Sequence, residues 1–546
     1  MPGSMHGAGD SRGSHGILRR SMAVLAGAVV LASTLNAAPQ APEQPNTPRL
    51  RDLDWTPFEA AIERMEGEDT AALGQLLSSA TIPDIQATMT SGKLTSEELT
   101  LYFLARVRRH DERLRTYLEL NPQALEEARE SDARRQAGRL RGPFDGIPVS
   151  LKDNIETAAP MHTTAGAEIL LDNVASRDAP LVAQLRAGGA VILGKANLSE
   201  FAGAVTFGQL EGGFTAVGGQ TINPHGHYPT SGSSSGSAAG VAALLAMVSV
   251  GSETAGSLIS PSSNNGVVGM KPSRALVNGA GVVPLILAND SPGPIGRSVT
   301  DVAALLDAID TVAVDYVSQL RPDALDGVTV GVLSADIVAR PDNTALLQGA
   351  SASLAALGAR LRPATIVRTP DWGTYEDFLR YLSAGIRHDM MPYVAARARK
   401  VRTFDDLVAY NAAEPSRRIP TGQQLFEVLL PLSAKVSAAD FAAISKRMPR
   451  VAAEMLDATF RRTGAELLVS LETAHSEIYA TAGYPAITVP LGRRATGRVM
   501  PPANVSSVGM PVGITFIGKP GEDAKLLAFA YAFEQATQLR VSPALP

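Results

Sequence analysis

Hydroxyls crowd one short stretch of the chain, PTSGSSSGSAAG at 229–240, where Ser231, Ser233, Ser234, Ser235 and Ser237 stand among glycines. A serine hydroxyl is a weak nucleophile until a neighbouring base takes its proton. Two residues elsewhere could be that base. His475, in ETAHSEIY, would serve a G-x-S-x-G elbow, which GSSSG at 232–236 satisfies with Ser234 as nucleophile. That is the chemistry of an α/β-hydrolase esterase. Lys152 ends GIPVSLK, where an apolar strand would carry it inward. A lysine is a base only when neutral, and burial can lower its pKa by several units from about 10.4. A phosphate loop would need G-x-x-x-x-G-K-[ST], and no lysine follows the serines. A Gly/Ser linker would separate domains, whereas this stretch leads straight into the apolar run SAAGVAALLAMV.

The surrounding elements must position these groups. LTSEELTLYFLARVRRHDERL starts with Thr95 and has Glu98 three residues on, a capping-box pattern. Leu99, Tyr102, Phe103 and Val107 then share one helical face. GPFDGIPVSLKDNI reads as a strand emptying into a loop at Lys152, and APLVAQLRAGGAVILGKANLSEF as a helix, a Gly-Gly break and a buried strand at 191–193. The serine stretch opens a helix of small residues followed by another short strand. From about 322 to 462 the pattern is mostly helical, and strands return in PAITVPLG and PVGITFIG before a final helix, DAKLLAFAYAFEQAT. Alternating strands and helices predict a central mixed β-sheet covered by α-helices on both sides, an α/β fold.

Composition narrows the function. With 45% hydrophobic and 19% charged residues, the chain can bury a large core. A net charge of −5 argues against nucleic acid, whose phosphates need clustered Lys and Arg. The absence of cysteine removes disulfides, thiolate nucleophiles and cysteine-ligated zinc. Arg19 and Arg20 precede the apolar MAVLAGAVVLASTL and the small residues NAAP. This is the pattern of a secretory signal over 1–37, too short to span a bilayer, cut after Ala37. It predicts export to a periplasm or the medium, with no stable membrane insertion once the signal is removed. Residues 38–50, APQAPEQPNTPRL, read as a Pro-rich leader.

Several motifs in order resemble the amidase signature family: GIPVSLKDNI (146–155), TTAGA (163–167), GKANLSEFA (194–202), GSSSGSAAGVAA (232–243), GSETAGSLISPSSNNGVVGMKPS (251–273), SPGPIGRSVTDVAALLDAI (291–309), AGYPAITVPLG (482–492) and MPVGITFIGKPGEDAKLLAFAYAFEQAT (510–537). The resemblance covers nearly everything after residue 80. It implies one amidase signature domain over 51–546, with the helical section at about 322–462 shaping the substrate pocket. It also implies a Ser–Ser–Lys triad: Lys152 as base, Ser233 as bridging serine after a cis Gly232–Ser233 peptide, and Ser257 as nucleophile. Main-chain N–H groups of Thr254, Ala255, Gly256 and Ser257 would form the oxyanion hole. The implied activity is hydrolysis of a small-molecule or peptide amide through an acyl-enzyme, with no metal and no organic cofactor.

Departures from the common family pattern point to the peptide-amidase-like branch. The usual nucleophile loop G-x-D-x-G-G-S-I-R-x-P reads GSETAGSLISP here, with Glu253 for the aspartate, Ala255 for the first glycine and Ile259 for the arginine. Ser235 stands where many members have glycine, and GGQTINP, IRHDMMPYVA and RTFDDLVAYN fit the same branch. Ala255 can still present its N–H provided its φ is ordinary. The catalytic member of the tRNA-dependent amidotransferases shares the family core, but an export signal argues against its cytoplasmic partners. An exported binding protein reusing the fold is the non-enzymatic alternative. Asp153 and Asn154 are expected to hold the loop around Lys152, and Arg297 to brace the signature loop. His162, His225 and His227 have no carboxylate at ligand spacing and read as loop residues.

Overall fold

Parallel strands buried on both faces need covering layers, and the chain supplies them in a mixed sheet of eleven strands flanked by helices. The computed structural model describes residues 49–545 except 68–69, 206–211, 335–341, 421, 496–498, 501–504 and 507. The expected signal at 1–37 and most of the leader at 38–50 therefore lie outside the described residues. In chain order the strands are β1 (Tyr117–Leu120), β2 (Pro148–Lys152), β3 (Val191–Ala196), β4 (Val248–Glu253), β5 (Val268–Lys271) and β6 (Ser291–Gly296), then β7 (Thr329–Val332), β8 (Arg360–Pro363), β9 (Leu467–Leu471), β10 (Ala486–Arg493) and β11 (Pro511–Ile517). Across the sheet they run β1-β3-β2-β4-β6-β5-β10-β11-β9-β7-β8.

The part of this order that matters for chemistry is β3-β2-β4, a parallel trio. In β2 and β4 every residue is buried, including the polar ones. Leu151 pairs with Val250, so the two strands end side by side, with Lys152 closing β2 and Glu253 closing β4. β6 runs antiparallel to β4 and sets Ser291 opposite Glu253. Open α/β sheets bind ligands outside the carboxyl ends of parallel strands, and those ends carry the candidate residues here.

Local rules account for the supporting helices. Helix Ser96–Leu114 has the expected capping box: Glu98 N donates to Thr95 Oγ1 (3.0 Å) and Thr95 N to Glu98 Oε2 (2.8 Å). Its face of Leu99, Tyr102, Phe103 and Val107 is buried. The short helix Ser235–Ala242 is made wholly of small residues, all eight buried. A Cβ on Gly236 would lie 2.4 Å from Thr116 O and 2.6 Å from Asn197 N, so only glycine lets this helix sit against the main chain on both sides.

The 322–462 section is mostly helical, and it also contributes β7 and β8 to one sheet edge. Its helices Tyr375–Gly385, Met391–Arg397 and Phe404–Ala413 pack on the core loop that carries Leu285 and Ile286. Two acidic residues of the core fasten it. Glu156 accepts from Tyr393 Oη (2.9 Å) and Arg397 Nη2 (2.6 Å); Glu168 accepts from Tyr410 Oη (3.1 Å) and Arg418 Nε (the Oε2 contact, 3.1 Å). Arg297 has a different job from the one expected. It donates to the carbonyls of Leu77 and Ala80, well away from the serine stretch in sequence, and ties the N-terminal helices to the sheet.

Because the atoms facing Gly236 belong to the main chain, they cannot rotate away. Gly236→Ala is expected to destabilise the fold by about 2 kcal/mol, read as a lower midpoint in chemical denaturation.

Candidate active site

Lys152 reaches the end of β2 fully buried, and its Nζ is surrounded by three oxygens. Ser233 Oγ lies 2.8 Å away, Ser252 Oγ 3.0 Å and Ser252 O 3.1 Å. A neutral amine has two N–H donors and one lone pair. Ser252 O can only accept, and Ser252 Oγ already accepts from Asn154 Nδ2 (2.9 Å). An arrangement with both N–H donors directed at Ser252 turns the lone pair to the Ser233 hydroxyl. Burial pushes the Lys152 amine down to about 7, against the opposing pull of Asp290 and Glu253. The amine is thus substantially neutral near physiological pH.

The neighbours of Lys152 hold it from behind. Asp153 Oδ2 accepts the Thr164 N–H (3.0 Å) and its hydroxyl, and Oδ1 lies 3.4 Å from buried Lys195. Asp153 and Asn154 therefore hold the loop, as their place after the lysine suggests. Ser233 follows a cis Gly232–Ser233 peptide, the form the family resemblance implies.

Beyond Glu253, β4 turns into the loop 254–257. Ser234 N donates to Ser257 O (3.1 Å), which ties this loop to the serine stretch. Ser257 is half-buried, while Ser233 and Ser234 are buried. No hydrogen bond joins the Ser233 and Ser257 hydroxyls among the described residues. The loop rests on one carboxylate: Glu253 Oε2 accepts from Leu258 N (2.8 Å) and Ile259 N (3.2 Å), and the Gly256 N–H points to the same group. Burial raises the Glu253 pKa, opposed by these N–H groups and by Lys271. Among the described residues none of the four N–H groups named for an oxyanion hole, those of Thr254, Ala255, Gly256 and Ser257, donates to a main-chain acceptor, and that of Gly256 is oriented toward Glu253. Gly256 takes φ +97°, and Ala255 keeps an ordinary negative φ. Ile259 replaces the arginine of the common motif with a fully buried apolar side chain, clustered with Ile286, Tyr381 and Tyr479.

The other serines of the stretch are structural. Ser234 Oγ donates to Ser252 O (3.1 Å), Ser235 Oγ to Ser231 O (2.7 Å), and Ser231 Oγ shares a hydrogen with Ser260 Oγ. His475 Nδ1 lies 3.2 Å from Ser470 Oγ, and among the described residues no hydrogen bond joins it to Ser234. A buried hydroxyl already committed to a carbonyl is no nucleophile, so the esterase arrangement of Ser234 and His475 is not formed. His162 pairs with Glu119 (2.7 Å) and His225 with Asn265 O (3.0 Å). Among the described residues no three His, Asp or Glu side chains converge as a metal site would require.

Two participants have no signal of their own in the sequence. Ser252 lies inside the motif at 251–273, but its contact with Lys152 depends on the β2–β4 register. Asp290 stands one residue before the motif at 291–309 and accepts from Thr254 Oγ1 (2.5 Å). Only its place ahead of the strand that pairs with β4 could have drawn notice.

Comparison with known proteins shows the family. The family described as Amidase matches residues 98–527. A protein of Arabidopsis thaliana described as a probable amidase is 35% identical over 488 residues, covering 85% of this chain and 91% of its own. A glutamyl-tRNA(Gln) amidotransferase chain of Moorella thermoacetica is 32% identical over 484 residues, covering 82% and 94%. Among solved structures, native peptide amidase from Stenotrophomonas maltophilia superposes with a TM-score of 0.77 at 36% identity, covering 85% of this chain and 98% of that one. An amidase family protein from Bacillus anthracis gives 0.80 at 30% identity, covering 93% and 100%. The chain belongs to the amidase signature family and is a hydrolase of carbon–nitrogen bonds.

Proposed function

We propose that this chain hydrolyses the carboxamide of a small amide or a C-terminal peptide amide through an acyl-enzyme on Ser257. The observation that carries the reading is the fully buried Lys152 amine 2.8 Å from Ser233 Oγ. Ser257 Oγ attacks the carbonyl carbon and passes its proton to Ser233 Oγ, whose own proton moves to Lys152 Nζ. The carbonyl oxygen becomes an oxyanion and accepts from the free N–H groups of Thr254, Ala255 and Ser257. As the C–N bond breaks, the Lys152 proton returns through Ser233 to the leaving nitrogen, which departs as ammonia or amine. Water then attacks the acyl ester by the same relay and releases the carboxylate.

Ile259, Ile286, Tyr381 and Tyr479 form a buried apolar cluster behind the nucleophile loop, with Ala255 and Ala288 packed against it. Likeness to the peptide amidase from Stenotrophomonas maltophilia, and to a peptide amidase solved with the competitive inhibitor chymostatin, supports testing peptide amides first. We also propose export, on the residues 1–37. Among the described residues no single helix is long and apolar enough to cross a membrane.

Three outcomes test this reading. Ser257→Ala is expected to lower kcat by about four orders of magnitude, and to abolish labelling by a fluorophosphonate, read by mass spectrometry of the peptide carrying residue 257. Retained labelling at Ser234 would favour the esterase. For the wild type, kcat/KM should rise with pH through a midpoint near 7, because Lys152 is a base only after losing its proton there. A flat profile between pH 5 and 9 contradicts the lysine base. Ammonia release across peptide, aryl and aliphatic amides ranks the substrates, and no release from any of them contradicts the amidase reading.

A further inference from the structure

Next to the catalytic groups stands a carboxylate that takes no part in the proton relay. Asp290 is half-buried in the link between the loop 285–289 and β6. Its Oδ1 accepts the Thr254 hydroxyl at 2.5 Å. Its Oδ2 accepts the Leu285 N–H at 2.7 Å and the Ile286 N–H at 3.1 Å. One side chain thus joins the loop whose N–H groups face the oxyanion to the loop that meets the helical section. That second loop is held from the other side as well, since Leu287 N donates to Asp389 Oδ2 (2.9 Å) and Tyr381 Oη to Asn289 Oδ1 (3.0 Å). A Cβ on Gly385 would lie 2.6 Å from Leu285 O, so the helix Tyr375–Gly385 sits directly on it.

Lys152 lies within electrostatic reach of Asp290 and Glu253, and Asp290 within reach of Asp389 and Tyr381. The polar groups on them are Thr254 and the two N–H groups on Asp290, and Ser233 and Ser252 on Lys152. A carboxylate needed only for folding would satisfy the two N–H groups of its own loop. Asp290 also reaches the nucleophile loop, and its charge bears on the base.

We propose that Asp290 is a positioning residue for amide hydrolysis: through Thr254 it holds the oxyanion loop in place and ties it to the loop at 285–286. The inference rests on the reading of Lys152 as the base. An ionised Asp290 stabilises the Lys152 ammonium, so the free amine appears only at higher pH than it would beside a neutral group. Burial brings the Asp290 carboxyl up to about 7, so its own charge changes in the interval where the lysine loses its proton.

The test is the pH dependence of kcat and KM on one primary amide for wild type, D290N, D290E and T254V, with K152A and S257A as references. D290N is expected to move the acid limb of kcat/KM down by about one pH unit, with kcat reduced about tenfold and KM within about twofold. D290E keeps the charge and should leave the limb in place. T254V keeps the main-chain N–H but loses the hydroxyl, so kcat should fall with no movement of the limb. A folded D290N whose limb and kcat match wild type overturns the proposal. Should D290N fail to fold, T254V decides, and an unchanged kcat overturns the positioning role. Active K152A or S257A would overturn the lysine-base reading itself, whereas inactive references with a folded D290N unchanged in both limb and kcat overturn only the role of Asp290.

Discussion

A lysine amine fully removed from water is the constraint on which the rest of this site depends. An ammonium in that position loses its hydration, and only nearby carboxylates oppose the loss. The protein keeps Asp290 and Glu253 within electrostatic reach but gives Lys152 hydroxyls and a carbonyl as its direct partners. Lys195, by contrast, has Asp153 at 3.4 Å and three further oxygens, Ile155 O, His162 O and Thr163 Oγ1, within 3.0 Å. Burial lowers the pKa of both lysines, but Lys195 has a carboxylate in direct contact to oppose that shift, whereas Lys152 meets hydroxyls and a carbonyl.

The sheet makes this difference possible. β2 and β4 are parallel neighbours, so their chains leave the sheet at the same edge. The lysine at the end of one meets the turn at the end of the other. The turn itself is shaped from below by Glu253, whose carboxylate gathers main-chain N–H groups while burial holds its own pKa high. Glutamate in place of the usual aspartate changes the reach of that support without removing it. The small-residue helix Ser235–Ala242 then lets the serine stretch come close enough for Ser233 to touch Lys152.

Behind this centre lies a buried apolar cluster to which both the core and the helical section contribute. Ile259, in place of the arginine, belongs to it and is packed like any core residue. The acidic anchors Glu156 and Glu168 bind the helical section to the core through arginine and tyrosine side chains. The loop at 285–290 meets that section through Tyr381 and Asp389.

Much of this was legible in the sequence because ordered motifs and periodicity are local properties. The capping box at Thr95, the helix it starts, the buried strand at Lys152 and the mixed sheet all follow from residue types at short spacing. Family motifs extended that reading to Ser233 and Ser257. Short-range pattern could not separate the five hydroxyls of PTSGSSSGSAAG, because Ser233 and Ser234 are chemically identical until the fold buries one against Lys152 and the other against Ser252 O. Nor could it find Ser252 or Asp290 as neighbours of the catalytic groups, since strand register and the crossing of β4 with β6 decide those contacts. The sequence alone determined which chemical groups are available. Tertiary structure decided their protonation and their partners, because desolvation and hydrogen bonding across the sheet act between residues about a hundred positions apart.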